Sequence, residues 1–340
     1  VVYNWMANLL VENLGRYEEA FAMRETALRL DPLSIPALGN YIRSLIVRNR
    51  LAEAERELEK FASIRPSGYA RARGTMTSLG GKWANAVLGD LDALRIAPLM
   101  QRFRTSLSSA FADIGLEQEA LAISEYPLPR ILSILGRPGD AVATAEARFA
   151  EDPTSLRARS DLGLALAGAH DYARARPILE EMWQQSGGRV TQYGWFRTAN
   201  VAALIAIHRD AGEEAEVGEL VAAIRDNVRR YHEAGITGAD LNYSVDYEEG
   251  LAAYLAGERE RGLTLIANGA EDGFFIMQSE AYLQSLYDDP GFAPIRAGQE
   301  ARQTRERETF LDIVCTENPY AAVWQPAKGT CERFAAAGGN

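Results

Sequence analysis

The sequence predicts an all-α fold: stacked helix-turn-helix repeats closed by a C-terminal capping helix. Two observations predict it. Eight short segments share one pattern, a turn-forming residue, four variable residues and then a small residue. They are Gly15-Arg-Tyr-Glu-Glu-Ala20, Asn49-Arg-Leu-Ala-Glu-Ala54, Gly81-Lys-Trp-Ala-Asn-Ala86, Gly115-Leu-Glu-Gln-Glu-Ala120, Gly136-Arg-Pro-Gly-Asp-Ala141, His170-Asp-Tyr-Ala-Arg-Ala175, Gly212-Glu-Glu-Ala-Glu-Val217 and Gly257-Glu-Arg-Glu-Arg-Gly262. Their starts are 34, 32, 34, 21, 34, 42 and 45 residues apart. A period near 34 marks an array of helix pairs.

The first repeat explains the pattern. Gly15 ends the first helix, as does Asn49 one repeat later, because both residue types tolerate a left-handed backbone. Tyr17 and Leu51 fill the gap beside the turn, and Ala20 and Ala54 sit where two helices approach closely. Asp31-Pro32 stops the second helix, since proline cannot donate and disfavours helix in the residue before it. Ser34 suits the N-cap of the next helix. The third repeat supplies Gly81, Trp83, Ala86, Ala93 and Pro98, and the fourth Leu107, Phe111, Gly115 and Ala120. Residues 155–188 place Leu162-Gly163, Leu166, Tyr172, Ala175 and Leu179 in the same slots.

These residues resemble the tetratricopeptide repeat family over most of residues 1–273. The resemblance implies a right-handed superhelical solenoid whose first helices line a concave groove. The array is irregular at 115–136, where Pro127 and Pro129 leave room for one short helix at about 128–135, and after His170. There 185–188 and 233–238 read as longer, slack loops.

Residues 274–314 form a helical cap. A short helix ends near Tyr287, and Asp289-Pro290 reads as an N-cap with proline in the first helical position. The helix that follows runs through the very polar 302–308, as a capping element with a polar face requires. Residues 315–340 are a tail carrying both cysteines, Cys315 and Cys331. In an oxidising compartment they can close a loop worth about 3 kcal/mol; reduced thiols in a cytosolic tail are the alternative. The pair favours a periplasmic or other extracytoplasmic setting. Leu286-Tyr-Asp-Asp-Pro-Gly-Phe292, the charged helix, Cys315 and Asn318-Pro-Tyr-Ala-Ala-Val-Trp324 together resemble the close of repeat regions in bacterial winged-helix or nucleotide-cyclase signalling proteins. That resemblance implies a regulatory segment of a larger protein. The start at Val1, without Met and already in a helical pattern, fits a processed chain or a fragment.

Composition narrows the function. With 47 acidic and 36 basic residues the net charge is −11, which serves solubility and argues against nucleic acid and anionic membrane surfaces. No apolar run is long enough to span a bilayer. Of the three histidines, His170, His208 and His232, neither of the first two has a partner at metal-ligand spacing, and no Cys-x-x-Cys or His-Glu-x-x-His occurs, so no metal site or cofactor is expected. His170 reads as a helix end. Ser78-Leu-Gly-Gly-Lys82 lacks the spaced glycine and following hydroxyl of a phosphate loop. The pairs Glu18-Glu19, Glu213-Glu214 and Glu248-Glu249 diverge by about 100° on a helix and read as solvated faces. Trp183, Tyr193, Trp195 and Phe196 could make a stacking platform, but packing between repeats explains them as well.

No catalytic constellation emerges, and the expected function is a non-catalytic protein-interaction or sensory scaffold. By repeat position the groove carries Trp5 and Leu9, then Asn40 and Arg43, then Arg71 and Thr75, then Arg102, Thr105 and Ser109, then Arg157 and Asp161. Arginine grips carboxylates bidentately, so the four arginines suit an extended acidic or C-terminal peptide; pairing with acids of neighbouring helices would explain them equally. Asn40 matches the chaperone-clamping members of the family, but Trp5 and Leu9 replace their polar pair. An enzyme on a helical toroid would need converging acids that the sequence does not display.

Overall fold

The structure is a computed structural model describing residues 2–124, 128–191, 196–240, 243–274 and 283–338. The first repeat pairs α1 (Val2–Leu9), extended by a π-helical turn at Leu10–Leu14, with α2 (Tyr17–Leu30). Next come α3 (Ile35–Val47) with α4 (Leu51–Ile64), α5 (Pro66–Thr77) with α6 (Ala84–Ile96), and α7 (Gln101–Asp113) with α8 (Glu117–Ile123). The short α9 (Pro129–Ile134) precedes α10 (Pro138–Glu151), then α11 (Leu156–Gly168) and α12 (Tyr172–Gln185). After these come α13 (Thr198–Asp210), α14 (Glu214–Glu233), α15 (Val245–Leu255) and α16 (Arg259–Glu271). The chain ends with α17 (Gln284–Tyr287), α18 (Ala293–Thr316) and α19 (Thr330–Ala336). A two-residue antiparallel ladder, Ala239–Asp240 with Tyr243–Ser244, lies before α15. From α1 to α16, each helix packs on a neighbour in the chain.

All eight turn residues adopt positive φ, including Asn49 (55°) and His170 (58°), the two non-glycine cases among the described residues. The small residues Ala20, Ala54, Ala120, Ala141 and Ala175 are fully buried. Tyr17 is buried beside its turn, but Leu51 is exposed. Ser34 stands at the start of α3 without a side-chain capping bond. In the third repeat the closest approach is made by Gly74 and Gly89, not Ala86: a Cβ on Gly89 would lie 2.5 Å from the Gly74 Cα.

Contacts do not stop at neighbouring repeats. The Thr237 and Gly238 N–H groups both donate to the Val47 carbonyl, at 3.1 and 2.8 Å. The loop expected to be slack is therefore docked on the end of α3. The Tyr17 ring lies tilted against Tyr231 (5.0 Å between centroids), and its hydroxyl donates to Asn227 Oδ1 (2.9 Å). The Thr191 hydroxyl donates to the Glu12 carbonyl at 2.8 Å. Further along, Trp83 Nε1 donates to the Gly273 carbonyl (2.8 Å), and the Ala84 N–H donates to Glu306 (2.9 Å). Later helices thus seal turns of earlier repeats, and α18 packs on α6 as well as α16.

The expected N-cap at Asp289 is corrected. Helix α18 begins three residues beyond Pro290, with Pro294 in its first turn. Asp289 instead accepts bonds from Arg259, Tyr254 (3.2 Å) and the Gly291 N–H (2.8 Å). The Arg259 guanidinium is the main reason its carboxyl is held down at about 2.

Cys315 and Cys331 are joined by a disulfide that ties α18 to α19. Within the closed loop, Asn318 accepts from the Tyr320 N–H and donates to the Trp324 carbonyl. Trp324 packs on Phe111 and Phe310 (5.1 and 5.6 Å), and Thr330 donates to buried Glu119 at 2.7 Å. The tail therefore covers α7 and α8. No helix among the described residues is long and apolar enough to cross a membrane.

Candidate functional site: an arginine-lined cavity

Asn40, Arg43, Arg71, Thr75 and Arg102 line one cavity of about 410 Å³. They come from the first helices of three successive repeats, α3, α5 and α7. The 32- and 34-residue spacings of the turns that follow these helices, Asn49, Gly81 and Gly115, keep them in phase. Its apolar surface comes from Ile42, Ile46, Phe61 and Phe103. Arg65, at the end of α4, joins the lining and was not expected; it lies outside the first-helix positions by which the groove was traced. Among the described lining residues there is no Asp or Glu.

The arginines are positioned differently. Arg71 donates to Asp90 Oδ1 (3.1 Å) on α6 and to Ser106 Oγ (3.0 Å) on α7. Burial raises the Asp90 carboxyl above its usual value, and Arg71 pulls it back. Arg71 is therefore paired within the protein. Arg102 is exposed, its guanidinium 4.9 Å from the Phe103 ring centroid, and it makes no ion pair among the described residues. Asn40 Nδ2 donates to Asn4 (3.1 Å) and Asn8 (3.2 Å), which links the cavity wall to α1.

The rest of the expected groove is not gathered here. Trp5 and Leu9 are exposed on α1 and do not line the cavity. Thr105 and Ser109 direct their hydroxyls to carbonyls of their own helix. Arg157 lies beyond the six-residue α9, in a second charged group. There burial raises the Asp161 carboxyl, and Arg157, Arg148, Arg197 and Arg130 act against that rise. Nearby charge on Arg130 likewise limits the rise of Asp113, which burial pushes to about 6. One Arg148 guanidinium nitrogen is buried without a hydrogen-bond partner.

Glu248 corrects the expectation of a solvated face. Its carboxyl is pushed up to about 7 by burial, with Thr198, Tyr231 and Asn227 acting against the rise. The divergence of adjacent glutamates does hold, because Glu249 turns instead to Arg261 and His232. The folded protein binds the Glu248 proton more tightly than an unfolded chain with the ordinary value of 4.5. Its contribution is therefore full below 4.5 and lost as pH rises through about 7. Glu248→Gln is expected to gain about 2 kcal/mol relative to the unmodified protein between pH 5 and pH 8, discounted for partial exposure of the side chain. Urea unfolding at both pH values checks this; an equal difference at both would refute it.

The remaining candidates make contacts within the protein. His208 Nδ1 lies 2.5 Å from Glu213, which Arg176 also grips. Sequence spacing could have suggested this pairing across five residues, since α13 and α14 form one hairpin. Trp183 packs on buried Phe196 (5.5 Å); Tyr193 and Trp195 lie outside the described residues. No group of three or more His, Cys, Asp or Glu side chains suited to a metal ion occurs among the described residues. A second cavity, of about 380 Å³, lies between the Gly115 and Gly136 turns and the start of α18.

No protein-family model matches the chain, and no curated protein sequence is significantly similar to it.

Proposed function

We propose that this protein is a non-catalytic interaction or sensory module, built as a right-handed superhelical array of the tetratricopeptide type. Its partner is an extended acidic segment or a C-terminal peptide held in the cavity between α3, α5 and α7. The observation that carries the reading is the convergence of Arg43, Arg65, Arg71 and Arg102 on one cavity without a lining carboxylate, in a chain of net charge −11. An anionic ligand there meets guanidinium groups and an apolar floor, which strengthens charge-assisted bonds by displacing water. Arg71 is already paired with Asp90, so its part in this reading is positional: the pair holds its guanidinium at the wall.

Fluorescence anisotropy with a labelled hexaglutamate carrying a free carboxyl terminus tests this. The Arg43→Ala/Arg102→Ala double variant is expected to bind at least about tenfold more weakly, since hydrogen bonds to charged groups contribute about 1.5–3 kcal/mol each. Raising salt should weaken the unmodified protein more than the variant. Unchanged affinity in the double variant would sink the proposal.

A further inference from the structure

The charged group around Asp161 is built from four elements. Arg157, Ser160 and Asp161 are spaced i, i+3 and i+4, so they share one face of α11. Helix α13 is pinned to that face: the Asn200 side chain donates to Ser160 Oγ at 2.8 Å, and both residues are buried. Asn200 also accepts from the Arg197 N–H at 3.0 Å, which brings Arg197 to the same place at the start of α13. Helices α9 and α10 pack on α11 and on each other, and they carry Arg130 and Arg148. The four guanidiniums together oppose the rise that burial imposes on the Asp161 carboxyl, so each lies within electrostatic reach of it.

Two of these arginines keep bonding capacity in reserve. One Arg148 guanidinium nitrogen is buried without a hydrogen-bond partner, and a buried charge is costly unless something pairs with it. Arg157 is exposed and makes no ion pair among the described residues. Near neutral pH the four positive charges meet at most two full negative ones, Asp161 and Asp113, the latter pushed by burial to about 6. Glu248, on which Arg197 also acts, carries only part of a charge there, because burial pushes it to about 7. Among the described residues the group therefore has an excess of more than one positive charge.

We propose that this group is a second binding site, for a small dianion with oxygen acceptors such as a phosphomonoester or a short dicarboxylate, gripped by Arg148 from within and by Arg157 from the solvent side. The site is independent of the peptide reading above. Guanidinium forks match phosphate and carboxylate oxygens bidentately. The charge excess selects two negative charges, since a monoanion would leave part of it unmatched. The buried Arg148 nitrogen selects small size, since only a compact group can enter between packed helices to reach it.

Isothermal titration calorimetry on the full chain with inorganic phosphate, succinate and acetate, at constant ionic strength near neutral pH, tests this. At least one dianion is expected to bind saturably, with acetate at least about tenfold weaker; the tighter of phosphate and succinate identifies the headgroup. Arg148→Met and Arg157→Gln should each weaken that dianion at least about tenfold. Arg148→Met should melt no lower than the unmodified protein, because it removes a buried, incompletely bonded charge. Arg157 is exposed, so the fold should tolerate its replacement in any case. The Arg43→Ala/Arg102→Ala variant should bind the dianion unchanged, which separates this site from the peptide cavity. Absence of saturable binding by either dianion, or binding that survives both Arg148→Met and Arg157→Gln, overturns the site. So does binding lost in the Arg43→Ala/Arg102→Ala variant, or acetate binding as tightly as the dianions.

Discussion

Trp83→Ala is expected to lower unfolding stability by about 4 kcal/mol, the usual cost of emptying a large buried aromatic site. Trp83 is among the largest fully buried side chains, and it belongs to two parts of the molecule at once. It belongs with Val87, Leu91 and Phe111 to one core cluster, while its Nε1 donates to the Gly273 carbonyl, 190 residues away. Gly273 can accept that bond only because its backbone lies against Gly81: a Cβ there would sit 2.2 Å from the Gly81 N atom. Arg302 also lies over the Trp83 ring, at 5.8 Å. Truncation therefore leaves a void and an unpartnered carbonyl where later helices dock. Trp83→Phe separates the two effects. It keeps most of the packing and loses the hydrogen bond, and should cost about 1–3 kcal/mol. Urea titrations of both variants decide the matter. A loss below about 1 kcal/mol for Trp83→Ala would show that the docking does not depend on this residue.

Gly89→Val is expected to cost about 3 kcal/mol, and even Gly89→Ala should destabilise. The sign is informative. Glycine inside a helix is about 1 kcal/mol worse than alanine, so propensity alone predicts stabilisation. Packing predicts the reverse. Helices α5 and α6 meet backbone to backbone, and a Cβ on Gly74 would lie 2.6 Å from the Gly89 Cα and 2.8 Å from the Asn85 carbonyl. No flexible side chain can yield there, so the helices must separate. The same separation would move Asp90 on α6 and with it the Arg71 guanidinium at the cavity wall. Hexaglutamate binding should therefore weaken together with thermal stability. An increase in melting temperature for Gly89→Ala would show that the helix pair relaxes freely.

Much of the local architecture was legible because it rests on short-range chemistry. A left-handed residue must follow each first helix, and Gly, Asn and His residues mark those points. Buried alanines follow five residues later at Ala20, Ala54, Ala120, Ala141 and Ala175. The short helix near 128–135 appears as α9, since Pro129 in its first turn fixes the backbone there directly. The candidate cavity was legible in part for a related reason. Constant phase puts corresponding positions of α3, α5 and α7 on one side, so Asn40, Arg43, Arg71, Thr75 and Arg102 come together. Phase fails across the short α9, and Arg157 falls into a different charged group around Asp161.

Other features leave no periodic trace. Glu248 sits next to Glu249 in sequence, and nothing local distinguishes a carboxyl packed among Asn227, Tyr231 and Thr198 from one facing Arg261. The Gly74–Gly89 contact depends on how two helices cross, which neither glycine reveals alone. By itself, then, the sequence determined the helices, their turns and the phase of the first four repeats, because those follow from backbone preferences and side-chain spacing within a few tens of residues. Only the tertiary structure decided that residues 236–238 dock on α3, that Gly273 receives Trp83, and that the disulfide-closed tail covers α7 and α8. These contacts join surfaces far apart in the chain, and they depend on shape and hydrogen-bond complementarity that no repeat period encodes.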